Sequence, residues 1–217
     1  MPRRSQILLE PRKLPVQARS AASVEAILAA TIQVLLSVGK DRLTTTRVAL
    51  RAGVSVGTLY QYFPNKSALL RAALERHLDE VTTAIERVCR EQEGQTLLQM
   101  ATALITAFLD AKLRVVKTSV ALYSVSSDVD GAKVVQQKAV RSNKAIARML
   151  ATASEPLNND AQLVASVLQG AMAGVSRRLL ESPALEQEAE AFRRELISMA
   201  SAYLNASAVH DSCRPRA

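Results

Sequence analysis

Aromatic, cysteine and histidine residues are scarce in this sequence of 217 residues. Tryptophan is absent, and there are four tyrosines, three phenylalanines, two cysteines and two histidines. Cys89 and Cys213 stand far apart, which suits a reducing, cytoplasmic location better than a disulfide framework. Because His77 and His210 are the only histidines, and His210 lies in a polar tail, a catalytic triad or a two-histidine metal site cannot be assembled. We therefore expect no enzyme activity, no metal and no cofactor.

Long apolar runs and nucleotide-binding patterns are also missing. The first twenty residues carry charges throughout. Thr31 and Gln33 interrupt the next apolar segment before it reaches the roughly 20 residues of a membrane span, so we expect neither secretion nor membrane insertion. Neither GxxxxGK[ST] nor GxGxxG occurs, and the carboxylates Glu186, Glu188 and Glu190 are typical of a solvated helix face.

Positive charge is plentiful, and it is concentrated in the first part of the chain. Residues 1–90 contain 14 Lys and Arg against 7 Asp and Glu, whereas residues 91–217 contain 14 against 13. This excess could attract a polyanion such as nucleic acid, or it could be an accidental bias of a soluble surface. The charge alone does not separate the two interpretations.

Apolar residues recur with a helical period along most of the chain, and no strand alternation appears. The pattern predicts an all-α protein of about nine helices. We interpret residues 1–21 as a flexible basic arm, 22–66 as a three-helix domain, 67–206 as a larger helical domain and 207–217 as a flexible tail. Helices are predicted over residues 22–38, 45–52, 56–62, 65–88, 96–116, 118–126, 132–153, 160–180 and 184–206.

The smaller domain contains a helix-turn-helix pattern. Thr44 can cap a second helix that ends at Gly53. Ser55 can cap a short third helix that runs through Tyr62, and Asn65 can cap a long fourth helix. Two short helices that follow a longer one and are joined by a glycine-containing turn form a unit that places its second helix in the major groove of DNA.

The third helix carries groups suited to DNA. Gly57 lies in its first turn, where glycine costs about 1 kcal/mol relative to alanine but lets the backbone come close to bases or phosphates. Hydroxyl groups and one cation follow it and can reach phosphates or base edges. The alternative is that the aromatic residues form the core of a small helical domain; we accept this for Phe63 and leave it open for the two tyrosines. The hydroxyl-bearing and cationic residues are Thr58, Tyr60, Tyr62 and Lys66.

One run of residues, from Leu43 to Leu70, carries a recognisable motif without a gap. Its positions are Thr44, Val48, Ala49, Ala52, Gly53, Val54, Ser55, Gly57, Leu59, Tyr60, Tyr62, Phe63, Asn65, Lys66 and Leu69. The run resembles the DNA-binding domain of the tetracycline-repressor (TetR) family, and the resemblance covers about residues 22–75. It implies a sequence-specific transcriptional regulator with further helices that bind an effector and dimerise. The long arm before the first helix is less typical of the family.

The resemblance also implies roles at individual positions. Leu59 and Val54 are implied to be buried, while Arg47 and Arg51 are solvated or face phosphates. Ser55 adds a phosphate contact to its cap. Gln61 can pair bidentately with adenine or point along the backbone. The residues implied to face phosphates are Thr44, Thr45, Tyr60, Tyr62 and Lys66, and those nearest the base edges are Thr46, Val56, Gly57, Thr58 and Gln61.

The larger domain carries two apolar sets. Stripes on the last two helices predict a four-helix dimer interface, although they could pack within the subunit and their glycines could mark close internal packing. The middle helices are apolar on more than one side, which predicts a pocket for an apolar or aromatic effector. The interface residues are Leu163, Val167, Gly170, Gly174, Phe192, Leu196, Met199 and Tyr203, and the pocket residues are Met100, Leu104, Phe108, Tyr123, Met149 and Met172.

Together these features predict a homodimeric repressor that binds a palindromic operator in double-stranded DNA. A small-molecule effector is expected to release it, with the fourth helix acting as the lever. The alternative is a DNA-binding protein without an effector, whose second domain only dimerises or binds another protein and whose fourth helix is a passive strut. A footprint confined to one short palindrome favours the first, and coating of any DNA favours the second.

Overall fold

The computed structural model describes residues 18–126 and 129–209, and these residues form nine α-helices. The predicted all-α class and helix order are confirmed for this part of the chain. Residues 1–17 of the predicted arm and residues 210–217 of the predicted tail, with His210 and Cys213, lie outside it. The helices are α1 (Ala18–Arg42), α2 (Thr45–Ala52), α3 (Val56–Tyr62), α4 (Lys66–Glu91), α5 (Leu97–Leu113), α6 (Val116–Val125), α7 (Gly131–Leu150), α8 (Ala161–Leu180) and α9 (Leu185–Ala206).

Local side-chain and backbone contacts fix the ends of the short helices. The Thr44 hydroxyl accepts a hydrogen bond from the Arg47 backbone N–H at 3.2 Å and so caps α2. Gly53 ends α2 in the left-handed conformation, with φ 68°, which glycine adopts without steric cost. The side-chain oxygen of Asn65 accepts from the Ala68 N–H at 2.8 Å and caps α4. These three ends were predicted from the sequence.

The chain divides into two compact units. The first comprises the residues up to Leu78 together with 117–136, and the second comprises 79–116 together with the residues from Gln137 onward. The predicted domain bounds put all of α6 in the larger domain, whereas in the structure Leu122 and Val125 of α6 belong to the apolar core of the first unit. Both side chains are fully buried there, so this face of α6 completes the core that α1 to α3 and the start of α4 build.

Helix α1 begins at Ala18, inside the predicted arm, and its length and composition would allow it to cross a membrane. This differs from the expectation that polar residues keep its apolar run too short. Thr31 bonds within the helix, because its hydroxyl donates to the Ile27 carbonyl at 2.7 Å. Ile27 and Leu35 are buried in the core of the first unit, so the packing identifies α1 as a core helix.

The second unit is built on a core that joins part of α4 with α5, α7, α8 and α9. Helix α5 packs against both α8 and α9, and α8 packs against α9. Thr96 and Gln99 form a capping box that starts α5, as their side chains and backbone N–H groups bond reciprocally. The core is large and contains three methionines, whose flexible side chains fill irregular spaces.

Candidate DNA-binding site and effector domain

Helix α3 is held in place by its apolar side. Leu59 and Phe63 are buried in the first unit's core at 0% and 1% exposure, which confirms their predicted burial. Val48 and Ala49 of α2 are buried in the same core, so α2 and α3 share one support. Val54, in the turn between them, is half-buried and packs against this core. The opposite sides of both helices are consequently left at the surface.

Most of the predicted DNA-facing residues lie on this surface side. Tyr60, which is 41% exposed, places its hydroxyl 3.1 Å from the Thr45 hydroxyl. The start of α2 and the middle of α3 are thus joined at the surface by a hydroxyl pair. Thr44, Thr46, Arg47, Ser55, Val56, Gly57, Tyr60 and Gln61 are exposed, and Thr45, Thr58, Tyr62 and Lys66 are half-buried.

Ser55 organises the start of α3. Its hydroxyl oxygen accepts from the Thr58 N–H at 3.0 Å, which makes it the N-cap, and lies 2.8 Å from the Thr58 hydroxyl. Gly57 occupies the same turn and is exposed. A Cβ atom at Gly57 would meet only the Ser55 hydroxyl, at 3.7 Å, an ordinary contact distance. The described part of the chain therefore leaves room for a side chain at this position.

Three of the predicted contact residues are already engaged within the first unit. The Lys66 ammonium donates to the Lys40 carbonyl at 2.6 Å and so ties the start of α4 to the end of α1. Arg51 donates through Nε to the Gln33 side-chain oxygen at 2.7 Å. Tyr62 packs partly against the core, so the alternative of a core tyrosine holds in part for this residue. Their roles toward DNA stay predictions.

The predicted effector residues separate into two groups. Five lie in the core of the second unit, each no more than 7% exposed. Tyr123 does not join them: it is 45% exposed and lies on α6 in the first unit. The reason is the phase of α6, since Leu122 and Val125 occupy its buried face and Tyr123 follows Leu122 out of that face. The five core residues are Met100, Leu104, Phe108, Met149 and Met172.

Sequence reasoning missed Lys112. Its ammonium lies 6.0 Å from the centroid of the Phe108 ring, and burial lowers the pKa of this lysine below its usual range. Lys112 follows Phe108 by four residues, so helical spacing alone places it beside an apolar residue of the predicted pocket. This four-residue spacing is the sequence feature from which the position of Lys112 beside Phe108 could have been predicted.

The described residues of the second unit line a cleft and a groove at the surface. A cleft of about 220 Å³ lies between α4 and α7, with Cys89 and Ala145 among its lining residues. An open groove of about 830 Å³ lies between α4 and α5, with Val88 and Leu98 among its lining residues. The predicted effector residues line neither of these two cavities.

The predicted dimer residues are mostly at the surface. Leu163, Val167 and Met199 are 58%, 47% and 48% exposed. A Cβ atom at Gly170 or Gly174 would have nothing within 4 Å among the described residues, so these glycines do not serve close packing inside the described chain. This removes the alternative that they mark an internal helix contact.

Leu196 is a correction to the predicted interface. It is 2% exposed and belongs to the core of its own subunit, together with Ala200 and Leu204 of the same helix. These residues recur every four positions and define the inward face of α9. Phe192 and Tyr203 are half-buried beside that face.

His77 is a buried residue of the first unit. Its Nε2 atom lies 3.0 Å from the Ser119 hydroxyl, and both residues are at most 5% exposed. Asp79 on the same helix pairs instead with Lys138 at 2.6 Å. Among the residues that the structure describes, no group of three His, Cys, Asp or Glu side chains is arranged to hold a metal ion.

A short helix that presents hydroxyls, a glycine and an amide at the surface, supported by a second short helix, defines a helix-turn-helix protein of the DNA-binding class. Residues 27–73 match the family described as bacterial regulatory proteins of the tetR family. Residues 96–204, half of the chain, match the tetracyclin repressor-like C-terminal domain. The chain belongs to the TetR family of helix-turn-helix transcription regulators.

Curated relatives match about two fifths of the chain. The nucleoid occlusion factor SlmA of Photobacterium profundum is 35% identical over 88 residues, which cover 40% of this chain and 45% of that protein. The HTH-type transcriptional regulator SAR0097 of Staphylococcus aureus is 30% identical over 90 residues, covering 41% and 47%. The chain thus matches less than half the length of these relatives.

Solved structures extend the likeness to both units. A TetR-family transcriptional regulator from Mesorhizobium loti matches with a TM-score of 0.73 and 21% identity over 89% of this chain and 100% of that one. SmeT, the repressor of the Stenotrophomonas maltophilia multidrug efflux pump SmeDEF, matches with a TM-score of 0.65 and 22% identity over 90% and 95%. At these identities the likeness concerns the fold.

Two substitutions at Ser55 can distinguish its contribution to stability from its contribution to DNA binding. We expect Ser55→Ala to lower the free energy of unfolding by about 1 kcal/mol, because the Thr58 N–H loses its acceptor. Ser55→Asp keeps an equally good cap but brings a negative charge to the exposed start of α3, so stability should be retained while DNA affinity falls. Urea unfolding and binding to a fluorescent duplex measure the two effects.

Asp160 provides the matched control, since its carboxylate caps α8 in the second unit. Asp160→Ser should change neither DNA affinity nor, beyond a few tenths of a kcal/mol, stability. Wild-type DNA affinity in Ser55→Asp would show that the start of α3 does not face DNA.

Proposed function

We propose that the protein is a cytoplasmic repressor that binds a palindromic DNA operator as a homodimer and is released by a small apolar or aromatic effector. The observation that carries the DNA-binding part is the surface of α3. Its exposed glycine has no internal requirement, because a Cβ at Gly57 would meet only a 3.7 Å contact. Glycine at this position would let DNA come close to the helix backbone. A helix that lies in the major groove makes such a close contact.

The surrounding groups fit the two kinds of DNA contact. We assign the hydroxyl pair Thr45 and Tyr60, 3.1 Å apart, to the phosphates of one strand at one edge of the groove. Gln61 is exposed on α3 and has the donor and acceptor that read an adenine edge. Lys66 would exchange the Lys40 carbonyl, its acceptor in the free protein, for a phosphate.

Two substitutions test these assignments. Lys66→Ala should weaken binding to every sequence and lower the slope of log affinity against log salt by about 0.9, because one phosphate contact is lost. Gln61→Ala should leave the salt slope unchanged and relax the preference at one base pair, by about 1–3 kcal/mol. Both are measured by fluorescence anisotropy with an operator selected from a random library, at several salt concentrations.

Lys117→Ala, at an exposed lysine of α6, is the matched control and should change neither quantity. A fall in affinity with an unchanged salt slope in Lys66→Ala would mean that Lys66 only ties α4 to α1. Selection that yields no sequence preference would favour the alternative of a protein that coats DNA.

We assign the dimer interface to the outer faces of α8 and α9. Leu163, Val167 and Met199 are large apolar residues about half exposed, and exposed apolar patches mark interaction surfaces. Gly170 and Gly174 continue the α8 stripe at helical spacing with open space around them. Small residues at such positions let a second helix approach closely, which suits a partner copy of α8.

Val167→Asp should convert the dimer into a monomer. The substitution brings a charge into an apolar contact twice per dimer, and the dissociation constant should rise at least roughly 100-fold. Analytical ultracentrifugation at micromolar concentration measures the change, and circular dichroism checks that the fold is kept. Gln187→Asp, at an exposed position on α9, should remain dimeric. A monomeric wild-type protein, or a dimeric Val167→Asp, would contradict the assignment.

We assign effector binding to the core of the second unit. Met100, Met149 and Met172 are buried there, and methionine side chains can repack around a ligand. Helix α4 contributes Val81 and Ile85 to the same core and follows the recognition helix α3 directly. A ligand in this core would therefore displace α4, which with 26 residues extends about 39 Å. Two recognition helices must lie about 34–36 Å apart to enter successive major grooves, so a small displacement spoils the fit.

An effector should lower operator affinity, and the operator should lower effector affinity by the same factor, because coupling free energy is reciprocal. A panel of apolar, aromatic and polyanionic compounds, screened by the increase in Tm, identifies ligands. Operator affinity is then measured with and without saturating ligand. If only polyanionic compounds bind, the apolar assignment is wrong. If an apolar ligand saturates the protein and operator affinity does not change, α4 is a passive strut for that ligand.

A further inference from the structure

The contact between α4 and α7 carries charges along its outer side. Lys138 pairs with Asp79 at 2.6 Å, and Arg141 makes two contacts of 2.6 Å with the carboxylate of Glu86. These pairs join the two helices through charged side chains. A two-point arginine–carboxylate contact fixes geometry as well as charge.

Beyond the Glu86–Arg141 pair, α4 and α7 leave the cleft of about 220 Å³ between them. Two small residues, Cys89 on α4 and Ala145 on α7, line the cleft where larger side chains would fill it. Its volume falls below the 300–1,000 Å³ of pockets for drug-sized ligands. It can accept a small metabolite but not a nucleic-acid duplex or a protein segment.

The walls of the cleft are positively charged. Arg90, Lys144 and Arg148 line it, against the single further carboxylate of Glu93. In the described residues these three cations form no ion pair, in contrast to Arg141. Two arginines and a lysine around a small concave space are the groups that bind carboxylate and phosphate oxygens.

The Cys89 thiol in the cleft carries no negative charge that would repel an anion. Burial, with the neighbouring charge of Glu86, raises the pKa of Cys89 to about 12, so the thiol remains neutral at physiological pH. Cys89 is only 3% exposed, and a neutral, buried thiol is inert toward oxidation and metals. The cleft is therefore an anion site by charge rather than a thiol site.

We propose that the cleft between α4 and α7 binds a small oxyanion, the carboxylate or phosphate group of a metabolite, through Arg90, Lys144 and Arg148. This site is separate from the apolar core assigned to the effector. Anion binding at this site does not require DNA, so it can be tested independently of the proposed repressor function.

Isothermal titration calorimetry of the full-length protein, without DNA, tests the site with two probes. Inorganic phosphate and succinate are titrated at matched ionic strength, with sodium chloride as the reference salt. We expect saturable binding of at least one probe below about 10 mM. If phosphate alone binds, the ligand carries a phosphate group, and if succinate alone binds, it carries carboxylates.

Two variants locate the binding. Lys144→Gln combined with Arg148→Gln should raise the dissociation constant at least tenfold. Ala145→Leu should do the same by filling the cleft while leaving every charge in place. Arg194→Gln, at an exposed arginine of α9, is the matched control and should stay within twofold of wild type.

Three results would overturn the proposal. The first is the absence of binding by either probe, and the second is an unchanged dissociation constant in both cleft variants. The third is an equal loss in Arg194→Gln, which would show attraction to the net charge rather than to a site. The melting temperature of each variant confirms that it is folded before the titration.

Discussion

The candidate DNA-binding surface depends on the burial of a few apolar side chains beneath two helices that are too short to be stable alone. Helices α2 and α3 have 8 and 7 residues, whereas isolated helices below about 12–15 residues are marginal in water. Leu59 and Phe63 of α3, with Val48 of α2, are buried in the core formed with α1 and α4. This burial supplies the stability that their length does not. It also fixes which side faces outward, so the polar residues of α3 reach the surface as a consequence of the core.

Helix ends were predictable because the interactions that set them are local. The caps at Thr44, Ser55 and Asn65 each join residues three apart, and such contacts are readable without knowledge of the rest of the fold. The buried side of a helix was less predictable where apolar residues lie on several sides of that helix. Tyr123 and Leu196 illustrate this, since each stands on a helix with several apolar positions. Which of these positions turns inward is decided by distant partners that periodicity does not name.

Glycines give a different kind of information once the space around them is known. At Gly131, a Cβ atom would lie 2.5 Å from the backbone oxygen of Ser126, so the fold itself requires glycine at this corner. At Gly57, Gly170 and Gly174, no contact within the described chain is closer than 3.7 Å. Glycine within a helix costs about 1 kcal/mol relative to alanine. No contact inside the described chain requires glycine at these three positions, so a contact with another molecule is the simplest explanation for it. The three glycines lie on the surfaces that we assign to DNA and to the second subunit.

Helix α4 meets the rest of the second unit through two kinds of contact that differ in strength. On its outer side Arg141 pairs with Glu86, but this arginine is 52% exposed, and exposed ion pairs contribute about 0–1 kcal/mol. On its inner side Val81 and Ile85 are buried, and each such side chain contributes about 1.5–3 kcal/mol. The apolar side therefore contributes more than the charged side to holding α4 in its position. This difference in strength supports our proposal that a ligand which switches DNA binding acts in the apolar core. Under the same proposal, an anion in the cleft between α4 and α7 changes the position of α4 less than a ligand in the core does.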